Sequence, residues 1–326
     1  MANTGEFALI ADYFASWAPH SDAEQGVALG IGDDAALLDI APGQQLVAAT
    51  DTLVAGVHFP HDYSPAAIAT RSVGVNLSDL AAMGATPRWV TLALTLPSEL
   101  ACDRWLAPFS AGLRQALSAH NVALVGGDTS RGPLTISLTV MGEVTAGSAL
   151  CRHTAQPGDR IFVSGSLGDG AAALALIEQR WQAPEPLASY LRQRYDAPQP
   201  ALELGAALAA VANSAIDLSD GLLADLGHLC RASGVSATID SRRLPLASGL
   251  QHERQTVDWA LRGGDDYRLC FTVPAALHNA VPAGCTDIGQ IDTVEGEPTI
   301  TVIDLDGQRD RLALQQLRGG YDHFAD

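Results

Sequence analysis

Val122-Ala-Leu-Val-Gly-Gly-Asp-Thr-Ser130 is an apolar run of strand character that stops on two glycines and an aspartate. The same pattern occurs twice more. Leu46–Ala49 runs into Thr50-Asp51, and Ala215-Ile216 runs into Asp217-Leu-Ser-Asp-Gly221. Apolar strands that hand over to short polar turns, with helical stretches between them, point to an α/β protein. Strand ends are where ligand-binding loops gather in such folds.

Ser64-Pro65 opens a helix predicted to reach Met83, with Gly84 as its C-terminal stop. Asp103 is predicted to cap a second helix reaching His120, although Pro108 sits in its early turns. Strands are expected at Gln45–Thr50, Trp89–Leu96, Val122–Val125 and Leu134–Val144, the last alternating as a half-buried strand does. After Pro157-Gly158 the pattern restarts with a strand, Arg160–Ser164, which leads through Gly165-Ser-Leu-Gly-Asp-Gly170 into an alanine-rich helix. Further helices are expected at Ala201–Asn213, Leu222–Ser233 and Thr256–Arg262, and strands at Val235–Asp240, Tyr267–Val273 and Thr299–Ile303. The reading is two mixed α/β domains, residues 1–148 and 149–326. A chain of 326 residues has room for both, since a single core stops growing near ~250–300 residues.

Composition excludes several function classes. With 37 acidic against 19 basic residues the net charge is −18, so nucleic acid and anionic membranes are repelled. A nucleotide is repelled as well, unless metal ions stand between protein and phosphate. No apolar run approaches the ~18–20 residues that span a bilayer, and Met1–Gly30 lacks the pattern of a secretory signal. Cys102, Cys151, Cys230, Cys270 and Cys285 are odd in number, scattered and without Cys-x-x-Cys spacing. Buried thiols in a cytoplasmic protein are expected, rather than a disulfide framework or a zinc site. Every basic residue is arginine and there is no lysine. That removes Walker-type phosphate loops, protein-kinase active sites and Schiff-base chemistry, each of which needs one.

The acids recur beside Gly, Ser and Thr: Gly32-Asp-Asp-Ala35, Thr50-Asp-Thr52, Asn76-Leu-Ser-Asp79, Gly126-Gly-Asp-Thr-Ser130, Asp217-Leu-Ser-Asp-Gly221 and Gly263-Gly-Asp-Asp-Tyr267. Asn76 and Asp79, three apart on a predicted helix, share a face. Magnesium is hard and oxygen-seeking and binds through a few carboxylates plus substrate phosphates. Any single Asp-Gly pair is an ordinary turn or cap, and EF-hand spacing is missing. On spacing alone, a shared metal site and a set of plain turns both stand. The Gly165–Gly170 turn likewise reads either as a phosphate cradle or as tight strand–helix packing.

Taken in order, these clusters resemble the thiamine-monophosphate kinases, in the superfamily that includes aminoimidazole ribonucleotide synthetase and selenophosphate synthetase. The resemblance runs from Gly5-Glu6-Phe7 to Gly320-Tyr-Asp-His-Phe324. It is carried by Gly30-Ile-Gly-Asp-Asp34, Thr50-Asp-Thr-Leu-Val-Ala-Gly-Val-His-Phe59, Asn76-Leu-Ser-Asp-Leu-Ala-Ala-Met-Gly84, Gly126-Gly-Asp-Thr-Ser130 and Ile216-Asp-Leu-Ser-Asp-Gly-Leu222. It implies transfer of the terminal phosphate of ATP onto thiamine monophosphate, in line and assisted by several Mg2+ ions, with no side chain acting as acid or base. Asp33, Thr50, Asp51, Asp79, Asp128, Asp217 and Asp220 match the metal-holding positions. Gly127, Asp128, Arg152 and Ser219 match nucleotide contacts, and His58, Asp265 and Tyr321 match substrate contacts. In fold, the resemblance implies a homodimer in which the N-terminal domains join strands into a β-barrel, and a second α/β domain that closes over the active cleft. Two positions depart from the family pattern. Asp265 stands where Glu is common, and Ala49 stands where a hydroxyl residue is common.

Two rival readings remain in view. An ATP-dependent synthetase of the same superfamily is disfavoured because the selenophosphate enzymes carry an N-terminal Cys or selenocysteine, and no Cys precedes Cys102. A non-catalytic sensor of thiamine phosphate has no need of so complete an acidic set.

Overall fold

The computed structural model describes residues 6–315. They divide into two compact units, one comprising the chain up to Leu80 with Ala85–Gly147, the other Ala81–Gly84 with Ser148 onward. Among the described residues no helix is long and apolar enough to cross a membrane.

The first stretch of chain contains α1 (Glu6–Ile10), a π-helical turn at Ala11–Ala15, β1 (Val27–Leu29), β2 (Leu37–Leu38), β3 (Gln44–Val54), α2 (Pro65–Ala82), β4 (Thr86–Leu96), α3 (Asp103–Ala119), β5 (Ala123–Arg131) and β6 (Thr135–Thr145). The sheet runs in the order β3-β6-β4-β5. Only β4 and β5 pair in parallel; the other two contacts are antiparallel. In β6 the alternation is complete. Ile136, Leu138, Val140, Gly142 and Val144 are buried, while Thr135, Ser137, Thr139, Met141 and Glu143 are only partly so. The buried row faces α2, where a Cβ at Gly142 would lie 3.2 Å from Leu80 Cδ1.

The opposite face of this sheet carries Trp89 and Met141, packed with Val27 and Leu38, and beyond them small hydroxyl-bearing residues. Registers align Thr50, Thr139, Thr91 and Gly126 in one row, and Thr52, Ser137, Ala93 and Asp128 in the next. Thr50 shares a 2.8 Å hydroxyl bond with Thr139, and Thr52 a 2.7 Å bond with Ser137.

The second unit contains β7 (Arg160–Ser164), α4 (Asp169–Ile177), α5 (Leu187–Asp196), α6 (Leu202–Leu208), β8 (Ser214–Asp217), α7 (Leu222–Ser233), β9 (Ser236–Asp240), α8 (Arg254–Arg262), β10 (Leu269–Val273), β11 (Cys285–Asp292), β12 (Thr299–Ile303) and β13 (Arg309–Ala313). Its seven strands follow the order β13-β12-β9-β11-β7-β10-β8. Both faces of the sheet are covered. Ile161 and Val163 of β7 join Leu223, Leu226 and Ile288 in one core, while Phe162 stacks on Phe271 at 5.6 Å in the other. That is why β7 and β10 read as continuous apolar runs.

Several expectations need correction. β3 and β5 run well past the predicted Gln45–Thr50 and Val122–Val125. Asp51 and Asp128 therefore lie inside strands instead of in the loops that follow them. Both strands are sheet edges, where polar residues can sit without being buried. The N-cap of α3 is Cys102 with no side-chain bond, and Asp103 instead accepts a 3.2 Å bond from the Tyr13 hydroxyl. The helix expected at Ala201–Asn213 ends at Leu208. β10 starts at Leu269 instead of Tyr267, because Tyr267 holds φ +48°, which no strand residue can.

Candidate functional site

The sequence-predicted residues fall into three groups. The first lies along the β5 edge. Gly30–Ala36 on one side and Leu124–Thr129 on the other, with Ile10 and Phe14, enclose a cleft of 680 Å³ that holds Asp33, Gly127 and Asp128. Its inner wall is apolar and its rim acidic. Gly127 has φ +149°, and a Cβ there would lie 1.9 Å from the Leu92 carbonyl oxygen, so glycine alone fits. The Ser130 hydroxyl donates to Asp128 Oδ2 at 2.7 Å, and Asp33 Oδ1 accepts the Asp34 amide at 2.8 Å.

The second group lies at the β3 edge and on α2. Strand alternation turns Thr50 to the hydroxyl-lined face and Asp51 to the face that α2 covers. The Asp51 amide donates to Asn76 Oδ1 at 3.0 Å, and Asn76 is itself held by its 2.8 Å bond to the Ser72 carbonyl. Asp79, one turn on from Asn76, is half-buried. His58 follows in the turn after β3, where its Nδ1 accepts the Val54 amide at 3.0 Å. That bond fixes the neutral ring with its proton on Nε2, because an amide can only donate.

The third group is in the second unit. β8 ends at Asp217, and the Leu218–Gly221 turn leads into α7. The Asp220 amide donates to Asp225 Oδ2 at 3.1 Å. Burial, followed by the charges of Asp217 and Asp220, pushes the Asp225 carboxyl up to about 8, while Arg152 pulls the other way. Arg152 thus acts electrostatically on this acid cluster, and its carbonyl accepts the Ser233 hydroxyl at 2.8 Å. Asp225 was not singled out from the sequence. An acid in the first turn of a helix that follows Asp217-Leu-Ser-Asp-Gly221 was the available signal.

Ser219 connects this turn to the Gly263–Tyr267 loop, since its carbonyl accepts the Asp265 amide at 2.9 Å, and Leu218 accepts that of Tyr267 at 2.8 Å. Asp265 and Tyr267 both hold left-handed backbone, φ +68° and +48°, a conformation that costs non-glycine residues on the order of 1–2 kcal/mol each. Asp266 between them is fully buried and takes the Gly168 amide at 2.7 Å and the Gly170 amide at 3.1 Å. The Gly165–Gly170 turn therefore packs strand against helix, and these two amides hold an internal carboxylate where a phosphate could otherwise sit. A Cβ at Gly170 would lie 2.5 Å from the Gly264 carbonyl oxygen. Tyr321 lies outside the described residues.

Among the described residues, no three His, Cys, Asp or Glu side chains form a cage for a metal ion by themselves. The donors present are carboxylates and hydroxyls, with Asp217 and Asp220 close enough to Asp225 to raise its proton affinity. Such a set suits a hard cation that completes its shell with phosphate and water.

Comparison with known proteins gives the family. Residues 32–144 match the N-terminal domain of the AIR synthase related proteins, and residues 156–303 match their C-terminal domain. The thiamine-monophosphate kinase of Escherichia coli K12 is 46% identical over 325 residues, 98% of each chain. The chain belongs to the thiamine-monophosphate kinase family. Thiamine-monophosphate kinase from Stenotrophomonas maltophilia K279a superposes with a TM-score of 0.78 at 45% identity, over 87% of this chain and 92% of that one. AaThiL complexed with AMPPCP and TMP superposes with a TM-score of 0.76 at 33% identity, over 99% and 98%. Members of this family are two-domain mixed α/β kinases, and this chain is one of them.

Proposed function

We propose that the chain transfers the γ-phosphate of ATP to thiamine monophosphate, giving thiamine diphosphate, by direct in-line attack of the acceptor phosphate. The observation that carries this is the near full-length likeness to AaThiL complexed with AMPPCP, an ATP analogue, and TMP. The acceptor is already an anion at neutral pH, so no strong general base is needed, and phosphoryl transfer depends mainly on positioning and charge stabilisation.

Asp33, Asp51, Asp79, Asp128, Asp217 and Asp220, with Thr50, are the residues assigned to Mg2+. When bound, the ions offset the repulsion between the two phosphates. Gly127, Asp128, Arg152 and Ser219 hold the nucleotide. Arg152 supplies fixed positive charge in a chain without lysine. His58, with its proton on Nε2, donates a hydrogen bond to the acceptor phosphate and holds it in line. Asp265 and Tyr321 take the thiamine end, where a carboxylate complements the thiazolium cation or accepts from the aminopyrimidine.

Residues 1–148 form the nucleotide and dimerisation domain in this reading, and 149–326 the domain that closes over the cleft of this cytoplasmic enzyme. A homodimer is supported by the exposed part of the hydroxyl-bearing sheet face, at Thr50, Thr52 and Ala93, and by β3, an 11-residue edge strand exposed along much of its length. Exposed edges of that kind are ordinarily covered. Site acids lie on both edges, so a second copy that docks on this face comes near them.

A coupled assay of ADP release with thiamine monophosphate and magnesium tests the proposal. Sustained release with thiamine diphosphate appearing supports it, and tight binding without turnover would make the protein a sensor.

A further inference from the structure

We infer that Tyr267 is a positioning residue for Asp265, aiming its carboxylate at the thiamine end of the substrate; this rests on the substrate role proposed above for Asp265. The Tyr267 hydroxyl donates to Asp265 Oδ1 at 3.0 Å. The two residues are neighbours but one, and each holds left-handed backbone. Among the described residues the other two non-glycine residues with positive φ, Asn121 and Gln179, directly follow the ends of α3 and α4, where such a conformation commonly terminates a helix. The Asp265–Tyr267 segment ends no helix, so its conformation has another cause.

That cause is an anchored platform. Asp266 points into the protein and takes the Gly168 and Gly170 amides, and the Arg194 guanidinium donates to its carbonyl at 2.9 Å. The Ser219 and Leu218 carbonyls hold the amides on either side. With three hydrogen bonds on the backbone and two more on the Asp266 side chain, Asp265 keeps mainly the rotation of its own side chain. An aspartate has few atoms with which to reach a ligand, and a carboxylate turned away gains nothing from the platform beneath it. The phenol restricts that rotation. Tyr267 is itself half-buried, so its hydroxyl is delivered from a fixed ring.

The test is a double-mutant cycle, which isolates coupling between two residues. Tyr267→Phe keeps the ring and the backbone and removes only the hydroxyl. It is expected to raise the KM for thiamine monophosphate about 5–10-fold, the scale of one lost hydrogen bond. The KM for ATP, kcat and Tm should stay near those of the parent, which loss of fold would not allow. In an Asp265→Ala background, Tyr267→Phe should change nothing further. Effects that multiply in the double variant, or an unchanged KM in Tyr267→Phe alone, would overturn the positioning role while leaving Asp265 as a substrate contact. If Asp265→Ala itself leaves the KM for thiamine monophosphate unchanged, the assignment of Asp265 fails and the role of Tyr267 falls with it.

Discussion

Asp51 and Asp128 stand on opposite edges and opposite faces of one four-stranded sheet. The register row through Asp51 passes Leu138 and Leu92 and ends on Gly127, one residue short of Asp128. Three strand spacings separate the edges, about 14 Å. Within one sheet these two acids are therefore too far apart to share one ion, so the proposed function needs them at different parts of the phosphate–metal assembly.

Asp51→Asn and Asp128→Asn should each reduce turnover by at least about 100-fold, because each removes a charge assigned to metal–phosphate stabilisation. Both side chains are exposed, so the melting temperature should move by no more than a few degrees. Steady-state ADP release and a thermal melt check the pair. Near-normal turnover in either would remove that residue from the site.

Gly127→Ala should destabilise the first unit by about 2–4 kcal/mol, given a Cβ only 1.9 Å from the Leu92 carbonyl oxygen and a φ of +149°. Denaturant titration reads it directly. A variant as stable as the parent would mean that β5 does not lie against β4 as described.

His58→Gln retains a side-chain N–H near the position of Nε2 and should keep activity within about tenfold, whereas loss of a general base costs about 10²–10⁴-fold. A rate fall in the larger range, together with loss of the acidic limb of the pH profile, would make His58 a base.

Asp266 gives the fold a pH dependence. Burial and the neighbouring Asp169 raise its carboxyl from 3.8 to about 7, despite the amides of Gly168 and Gly170 and the charge of Arg194. Between those values the folded chain keeps a proton that the unfolded chain releases, so the proton difference (unfolded minus folded) is negative and stability falls as pH rises. The contribution is fully present below about 3.8 and is lost by the time pH has passed through about 7. Asp225, raised to about 8, acts in the same direction. Urea titrations from pH 4 to 8 should show stability falling along this window, and Asp266→Asn should flatten the slope. A slope unchanged in Asp266→Asn would locate the pH dependence elsewhere.

The fold was legible wherever burial leaves a period in the sequence. β6 alternates strictly, and β7 and β10 are apolar throughout because helices cover both faces of their sheet. α5 also carries the helical period, at Leu187, Ala188, Leu191, Arg194 and Tyr195, although no element was expected there. What could not be read were relations between distant residues. Asp51 and Gly126-Gly-Asp128 looked like loops because polar residues break an apolar run, but on edge strands they continue the ladder. The Gly165–Gly170 turn stayed ambiguous because the carboxylate that takes its amides, Asp266, is nearly 100 residues away. Of the site, the residue types and their order were visible, but their distribution over two sheet edges and a separate turn in the second unit was not.

The most direct measurement is the rate of ADP formation by the purified protein with thiamine monophosphate, with and without Mg2+, while product is followed by chromatography. The account predicts stoichiometric thiamine diphosphate, turnover that stops when the ion is chelated and returns when it is restored, and none when unphosphorylated thiamine replaces the acceptor. Equal turnover after chelation, or ATP consumption without thiamine diphosphate, would contradict it.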